Sequence, residues 1–126
     1  MKGQTLFIRP IETADLNSVG DFLQRHGGGS ADGESGILAK LVGDLAAVLI
    51  FRFGDRNLEI HQLLVREDLR RKRIGTLMLG ELERIAGSRG LQSLSVRNGG
   101  ADEFLTKAGF IDEGDSMVKK VIRDAR

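Results

Sequence analysis

The run Leu63-Leu64-Val65-Arg66-Glu67-Asp68-Leu69-Arg70-Arg71-Lys72-Arg73-Ile74-Gly75-Thr76-Leu77-Met78-Leu79 decides how the rest of the chain is read. It begins as an apolar strand, crosses a basic loop and opens an amphipathic helix. The first turn of a helix leaves backbone N–H groups without intrahelical partners, and the helix dipole adds positive potential there. Four successive cations, Arg70 to Arg73, stand at the same point. Gly75 lets the backbone approach a ligand with no Cβ in the way. Together these features describe a cradle for a phosphate or diphosphate between a strand and a helix.

Working outward, the helix extends from about Ile74 to Ser88 and stops at Gly90. Its apolar stripe is Ile74, Leu77, Met78, Leu82, Ile85 and Ala86, with Glu81, Glu83, Arg84 and Arg89 facing water. Upstream, Ile37–Leu41, Leu45–Phe53 and Leu58–Val65 read as strands joined by turns at Gly43-Asp44 and Gly54-Asp55-Arg56-Asn57, which makes two consecutive hairpins. Before them, Leu6–Pro10 is a strand. A helix follows with Thr13 as N-cap and Ile11, Leu16, Val19, Phe22 and Leu23 at helical spacing, ending near Arg25-His26. Residues 27–36 form a glycine-rich loop, read either as a mobile lid over an acceptor pocket or as a plain connection. No Gly-Lys-Ser/Thr follows it, so it is not a nucleotide P-loop. Downstream, Leu91–Val96 is a strand, Ala101–Ala108 a short helix and Ser116–Ile122 a closing strand. The order β-α-β-β-β-α-β-α-β implies a single α/β (α+β) domain over residues 1–126, with a mixed, mostly antiparallel sheet flanked by helices.

Composition narrows the functional classes. The 126 residues are 40% hydrophobic and 29% charged, ordinary for a soluble domain. The absence of cysteine excludes disulfides, thiolate metal sites and a cysteine nucleophile, and it fits a cytoplasmic setting. No secretory or transit signal is visible, and the longest apolar run, Leu45 to Phe51, is too short to span a bilayer. A net charge of +1 gives no general field for nucleic acid. Two histidines in different elements give no metal site. No Ser-His-Asp set can be argued from order or spacing.

Arg70-Arg71-Lys72-Arg73-Ile74-Gly75 resembles the acyl-CoA signature of the GNAT N-acetyltransferase superfamily: Gln or Arg, two variable residues, Gly, one variable residue, then Gly or Ala. The first and last positions match, and Arg73 stands where the family has its middle glycine. The resemblance runs from Phe7 to Phe110. It implies a GNAT fold, acetyl-CoA or CoA as cofactor, and transfer of an acetyl group to a primary amine, on a small molecule or a protein, by direct attack in a ternary complex. No residue suggests a covalent intermediate.

Carried over by position, Arg70, Arg71, Lys72, Arg73, Ile74, Gly75 and Thr76 would grip the diphosphate, and Leu63, Leu64 and Val65 the pantetheine arm. A backbone N–H at Leu64 or Val65 would polarise the thioester carbonyl. Glu59 matches the general base of histone-modifying members, and His61, two residues on, shares its face. Asn98 would touch the pantetheine arm, and Phe104 would pack near the cofactor or in the core. The family's usual tyrosine acid is replaced by Leu105, and the chain contains no tyrosine at all. That departure supports an alternative, a CoA-binding regulatory module acting on a partner protein. Members of the superfamily are often homodimers, so a homodimer is a further expectation.

Overall fold

The computed structural model describes residues 6–29, 35–70, 73–97 and 102–121. Among them a seven-stranded sheet runs in the order β1-β2-β3-β4-β5-β7-β6. The strands are β1 (Leu6–Pro10), β2 (Ser35–Leu41), β3 (Asp44–Phe53), β4 (Asn57–Val65), β5 (Ser93–Arg97), β6 (Ile111–Asp112) and β7 (Ser116–Lys120). The helices are α1 (Leu16–Arg25), α2 (Ile74–Ser88) and α3 (Asp102–Lys107). All pairings are antiparallel except that of β4 with β5. The expected mixed α/β order is therefore observed, with two additions. β6 is a short strand that the sequence pattern does not announce, and short 3-10 turns precede α1 (Thr13–Asp15) and α2 (Glu67–Leu69).

Each face of the sheet has its own core. On one, Leu49, Phe51, Leu58, Ile60 and Leu94 pack against Met78, Leu82 and Ala86 of α2. On the other, Leu38, Val48 and Ile50 pack against Val19, Phe22 and Leu23 of α1. α1 covers only the β2–β3 part of its face, so the same face of β4, β5 and β7 is left without a helix among the described residues.

Several local expectations need correction. Glu12, not Thr13, caps the first helical turn, and its N–H donates to Asp15 Oδ2 at 2.8 Å. The Asp15 carboxylate also takes two bonds from Arg9, at 2.7 and 2.9 Å. Those bonds hold its carboxyl well below the usual carboxylate range. Leu16 and Leu77 belong to apolar stripes by spacing but are exposed, and Leu79 takes the buried position on α2. Glu83 is part-exposed and pairs with Lys119 at 3.2 Å. β2 begins at Ser35, inside the glycine-rich stretch. A Cβ on Gly36 would lie 2.6 Å from Ile11 Cδ1, so that glycine is a packing requirement and not a sign of a loop.

Candidate active site

β4 positions the candidate site, and one extra residue in it sets the geometry. Ile60 pairs with Phe51 and Gln62 with Ile50, so His61 is a bulge residue with no register partner on β3. The bulge shifts the side-chain phase. Leu58 and Ile60 point to the α2 core before it, and Leu63 and Val65 do so after it. Leu64 faces the α1 core.

The bulge also divides the strand's neighbours. Among the described residues β4 pairs with β5 from Asn57 to Ile60, while β4 itself runs on to Val65. Arg66 N–H donates to Ala46 O at 2.8 Å. In an antiparallel ladder the bonded residues alternate. Leu64 therefore points its N–H into β3, and Leu63 and Val65 turn theirs to the open flank. Of the two N–H groups named from the sequence, that of Leu64 is turned into β3 and that of Val65 to the flank, together with that of Leu63. The carbonyl of Val65 faces the same flank, where Arg70 Nε donates to it at 3.2 Å.

The basic loop continues from this flank. Arg66 is locked to Asp68 by two bonds of 2.7 and 3.0 Å, so it is spent on the loop's own shape. Arg70 and Arg73 are exposed, while Arg71 and Lys72 lie outside the described residues. Arg73 is the N-cap of α2 with φ 67° and ψ 12°, a left-handed conformation. This accounts for a glycine at that position in the signature: the backbone needs a positive φ there, and here an arginine bears the strain. Ile74 is buried in the α2 core, Thr76 is exposed, and both belong to the first turn of α2. A Cβ on Gly75 would lie 3.2 Å from Phe104 Cζ, so this glycine also gives room to the Phe104 ring. Phe104 is partly buried against the α2-side core, and the neighbouring Leu105 is fully in it. Asn98 lies outside the described residues.

On the opposite face of the sheet, a cleft of about 880 Å³ is lined by Glu59, His61, Arg52, Arg56, Ser95 and Arg97, with Glu113 and Asp115 at the β6–β7 end. Glu59 and His61 meet there. His61 Nε2 lies 2.6 Å from Glu59 Oε1, and with the carboxylate ionised the imidazole N–H is the donor. Asn57 Nδ2 donates to Ser95 Oγ at 2.8 Å on the same face. Gln62, beside the bulge, holds the segment after α1. Gly29 N–H donates to its Oε1 at 3.0 Å, and its Nε2 donates to Gly29 O at 3.2 Å. Of the stretch 27–36 expected as a loop or lid, residues 35 and 36 open β2, and 30–34 lie outside the described set.

Sequence reasoning passed over Arg52, Arg56, Asn57, Gln62, Ser95 and Arg97. A signal existed for two of them. Arg52 is the one cation in the apolar strand Leu45–Phe53, and Gln62 interrupts the apolar run into the basic loop. Among the described residues no group of three or more His, Asp or Glu could hold a metal, and no helix is long and apolar enough to cross a membrane.

A mixed sheet whose central strand bulges, loses one neighbour and feeds a basic loop into a helix defines the class: an acyltransferase-type fold of the GNAT kind. The sequence agrees. The profile of the Acetyltransferase (GNAT) family matches residues 7–110, and the chain belongs to that family.

Solved structures share the fold at low sequence identity. The ribosomal-protein-S18-alanine N-acetyltransferase from Escherichia coli superposes with a TM-score of 0.80 at 16% identity, covering 97% of each chain. The PaiA N-acetyltransferase from Thermoplasma acidophilum, solved with coenzyme A, gives 0.76 at 18% identity over 92% of this chain and 99% of that one. N-acetylglutamate synthase from Neisseria gonorrhoeae, solved with coenzyme A and L-arginine, gives 0.77 at 15% identity over 94% of this chain and 34% of that one. No curated protein matches the chain by sequence.

Proposed function

We propose that the protein is an acetyl-CoA-dependent N-acetyltransferase acting on a primary amine. The observation that carries this reading is the placement of two half-sites on the two sides of one bulge. Glu59, before it, and His61, at it, face the open cleft; after it, Leu63 and Val65 turn backbone donors to the open flank beside the basic loop.

The residues present fit acetyl-CoA. The exposed Arg70 and Arg73 and the start of α2 suit its phosphates, and the Leu63 and Val65 N–H groups suit the amide and thioester groups of its arm. When bound, it supplies an activated acetyl group whose C–S bond breaks as the new C–N bond forms. Glu59, directly or through His61, takes the proton that an incoming ammonium must lose. The N–H of Leu63 or Val65 donates to the oxyanion that develops at the carbonyl. The second amine proton, released on collapse, balances the thiolate. Leu105 cannot carry it, so water delivers it, and a thiolate is a good enough leaving group to wait.

Glu59→Gln keeps the shape of the His61 contact and removes the base. The expected result is a fall in kcat of about 100-fold, with acetyl-CoA affinity by calorimetry unchanged within about twofold. An unchanged rate places the base elsewhere.

One observation favours a second reading, a CoA-binding regulatory module without turnover: Leu105 is buried in the core and no hydroxyl replaces the family's acid there. Tighter binding of free CoA than of acetyl-CoA, with no thiol released on any amine, would select it. The cytoplasmic setting and a homodimer remain part of this proposal.

A further inference from the structure

Some of the described arginines are engaged within the fold. Arg9, Arg66 and Arg84 are each held by two bonds to one carboxylate, of Asp15, Asp68 and Glu81. Arg89 lies over the Phe53 ring at 4.3 Å. Among the described residues no carboxylate pairs with Arg52, Arg56 or Arg97, and all three line the cleft that holds Glu59 and His61.

Arg52 is the telling case. It stands directly across from Glu59 in the β3–β4 register, the geometry in which opposite charges usually pair. Glu59 bonds to His61 instead, leaving the guanidinium of Arg52 to the cleft. Arg56 is held nearby by its own backbone, because Gln92 N–H donates to Arg56 O at 2.7 Å and ties the β3–β4 turn to the start of β5. The cleft mixes these charges with the apolar Ile60, Val96 and Val118. Arg52 lies across from Glu59 and Arg56 in the turn between their strands, while Arg97, in register with Ser116, stands on the β5–β7 side with Glu113 and Asp115. Guanidinium forks of this kind match carboxylate and phosphate oxygens in two-point contacts.

We infer that the acceptor is a small primary amine carrying an anionic group, carboxylate or phosphate, a few atoms from its nitrogen. Arg52 and Arg56 take the anion, and this places the nitrogen beside Glu59 and His61. The inference rests on the transfer reading above and narrows its substrate.

The test is a matched panel of amines with thiol release as readout: glycine against glycinamide, β-alanine against its amide, and phosphoethanolamine against ethanolamine. The expected result is a kcat/KM at least about tenfold higher for the anionic member of a pair. A preference within the amino-acid pairs alone names a carboxylate, and one within the phosphoethanolamine pair alone names a phosphate. In the R52Q/R56Q double variant the ratio should fall towards one, while R52K, which keeps the charge, should retain most of it. Equal rates within every pair, or a ratio untouched in R52Q/R56Q, overturns the inference and leaves acetyl transfer standing.

A second measurement needs no turnover. Glycine, β-alanine and phosphoethanolamine are titrated into the ¹⁵N-labelled protein saturated with CoA. Shifts at the amides of Glu59, His61 and Ser95 that vanish in R52Q/R56Q support the anion site even if no amine is acetylated, which would sink the transfer reading alone. No shifts and no discrimination sink the inference.

Discussion

Asn57–Ile60 and Leu63–Val65 are two pieces of one strand with different surroundings. The first piece is hydrogen-bonded on both sides, to β3 and to β5. Among the described residues the second is bonded to β3 alone, and it is followed at once by the basic loop. The first carries its functional groups on side chains, Glu59 and His61. The second carries apolar side chains and offers its backbone. A single inserted residue at His61 makes both arrangements compatible with one apolar core. It lets Leu58, Ile60, Leu63 and Val65 all reach the α2 side although their spacing is not a strict alternation.

The largest effect is expected on the backbone half. Gly75→Glu puts a carboxylate beside the start of α2, and acetyl-CoA affinity should fall at least about 100-fold by calorimetry. Gly75→Ala separates charge from packing. Its Cβ needs only a shift of a few tenths of an ångström from Phe104, so the loss should stay below about tenfold. Equal losses in the two variants would show that Gly75 serves the Phe104 contact and not a ligand.

Deleting His61 attacks the comparison itself. Without it Leu58, Ile60, Leu63 and Val65 fall into plain alternation, so the protein should still fold, with Tm within about 5 °C of the parent. The two halves become alike, and acetyl-CoA affinity should drop by about tenfold or more. A folded deletion with parental affinity would mean that the bulge is only a strand irregularity.

A smaller effect belongs to the loop. Arg73→Gly relieves a left-handed arginine and should raise stability by about 1 kcal/mol in urea unfolding. No gain would mean that the Arg73 side chain makes compensating contacts.

The smallest effect lies far from the site and acts as a control. Asp15 is held ionised by Arg9, so its carboxyl is depressed in the folded state. That contribution is fully present above about pH 4 and is lost as pH falls through the folded value. Asp15→Asn should therefore lower Tm at pH 7 and converge on the parent in acid, with acetyl-CoA affinity at pH 7 untouched.

Much of this was legible in the sequence. The hairpins, the loop into α2 and the parallel return of β5 follow from turn residues and from the run Leu63–Leu79. The family signature points to the same stretch. Glu59 and His61 could be placed on one face by their spacing, and they meet there. What could not be read was tertiary. Nothing local shows that Leu16 and Leu77 escape burial, that Gly36 lies under Ile11, or that Glu83 finds Lys119. The choice between Leu64 and its neighbours depends on the ladder with β3, which a single strand's sequence does not contain. Arg52 stands out as the one cation of an apolar strand, but its place opposite Glu59 comes only from the β3–β4 register.

The most direct test of the central claim follows backbone amides during an acetyl-CoA titration. In ¹⁵N-labelled protein the amides of Leu63 and Val65, and those of Ile74, Gly75 and Thr76, should move most, with Leu64 moving less because its N–H is committed to β3. Uniform small shifts, or the largest shifts on β1 and β2, would contradict an acyl-CoA site at the open flank of β4.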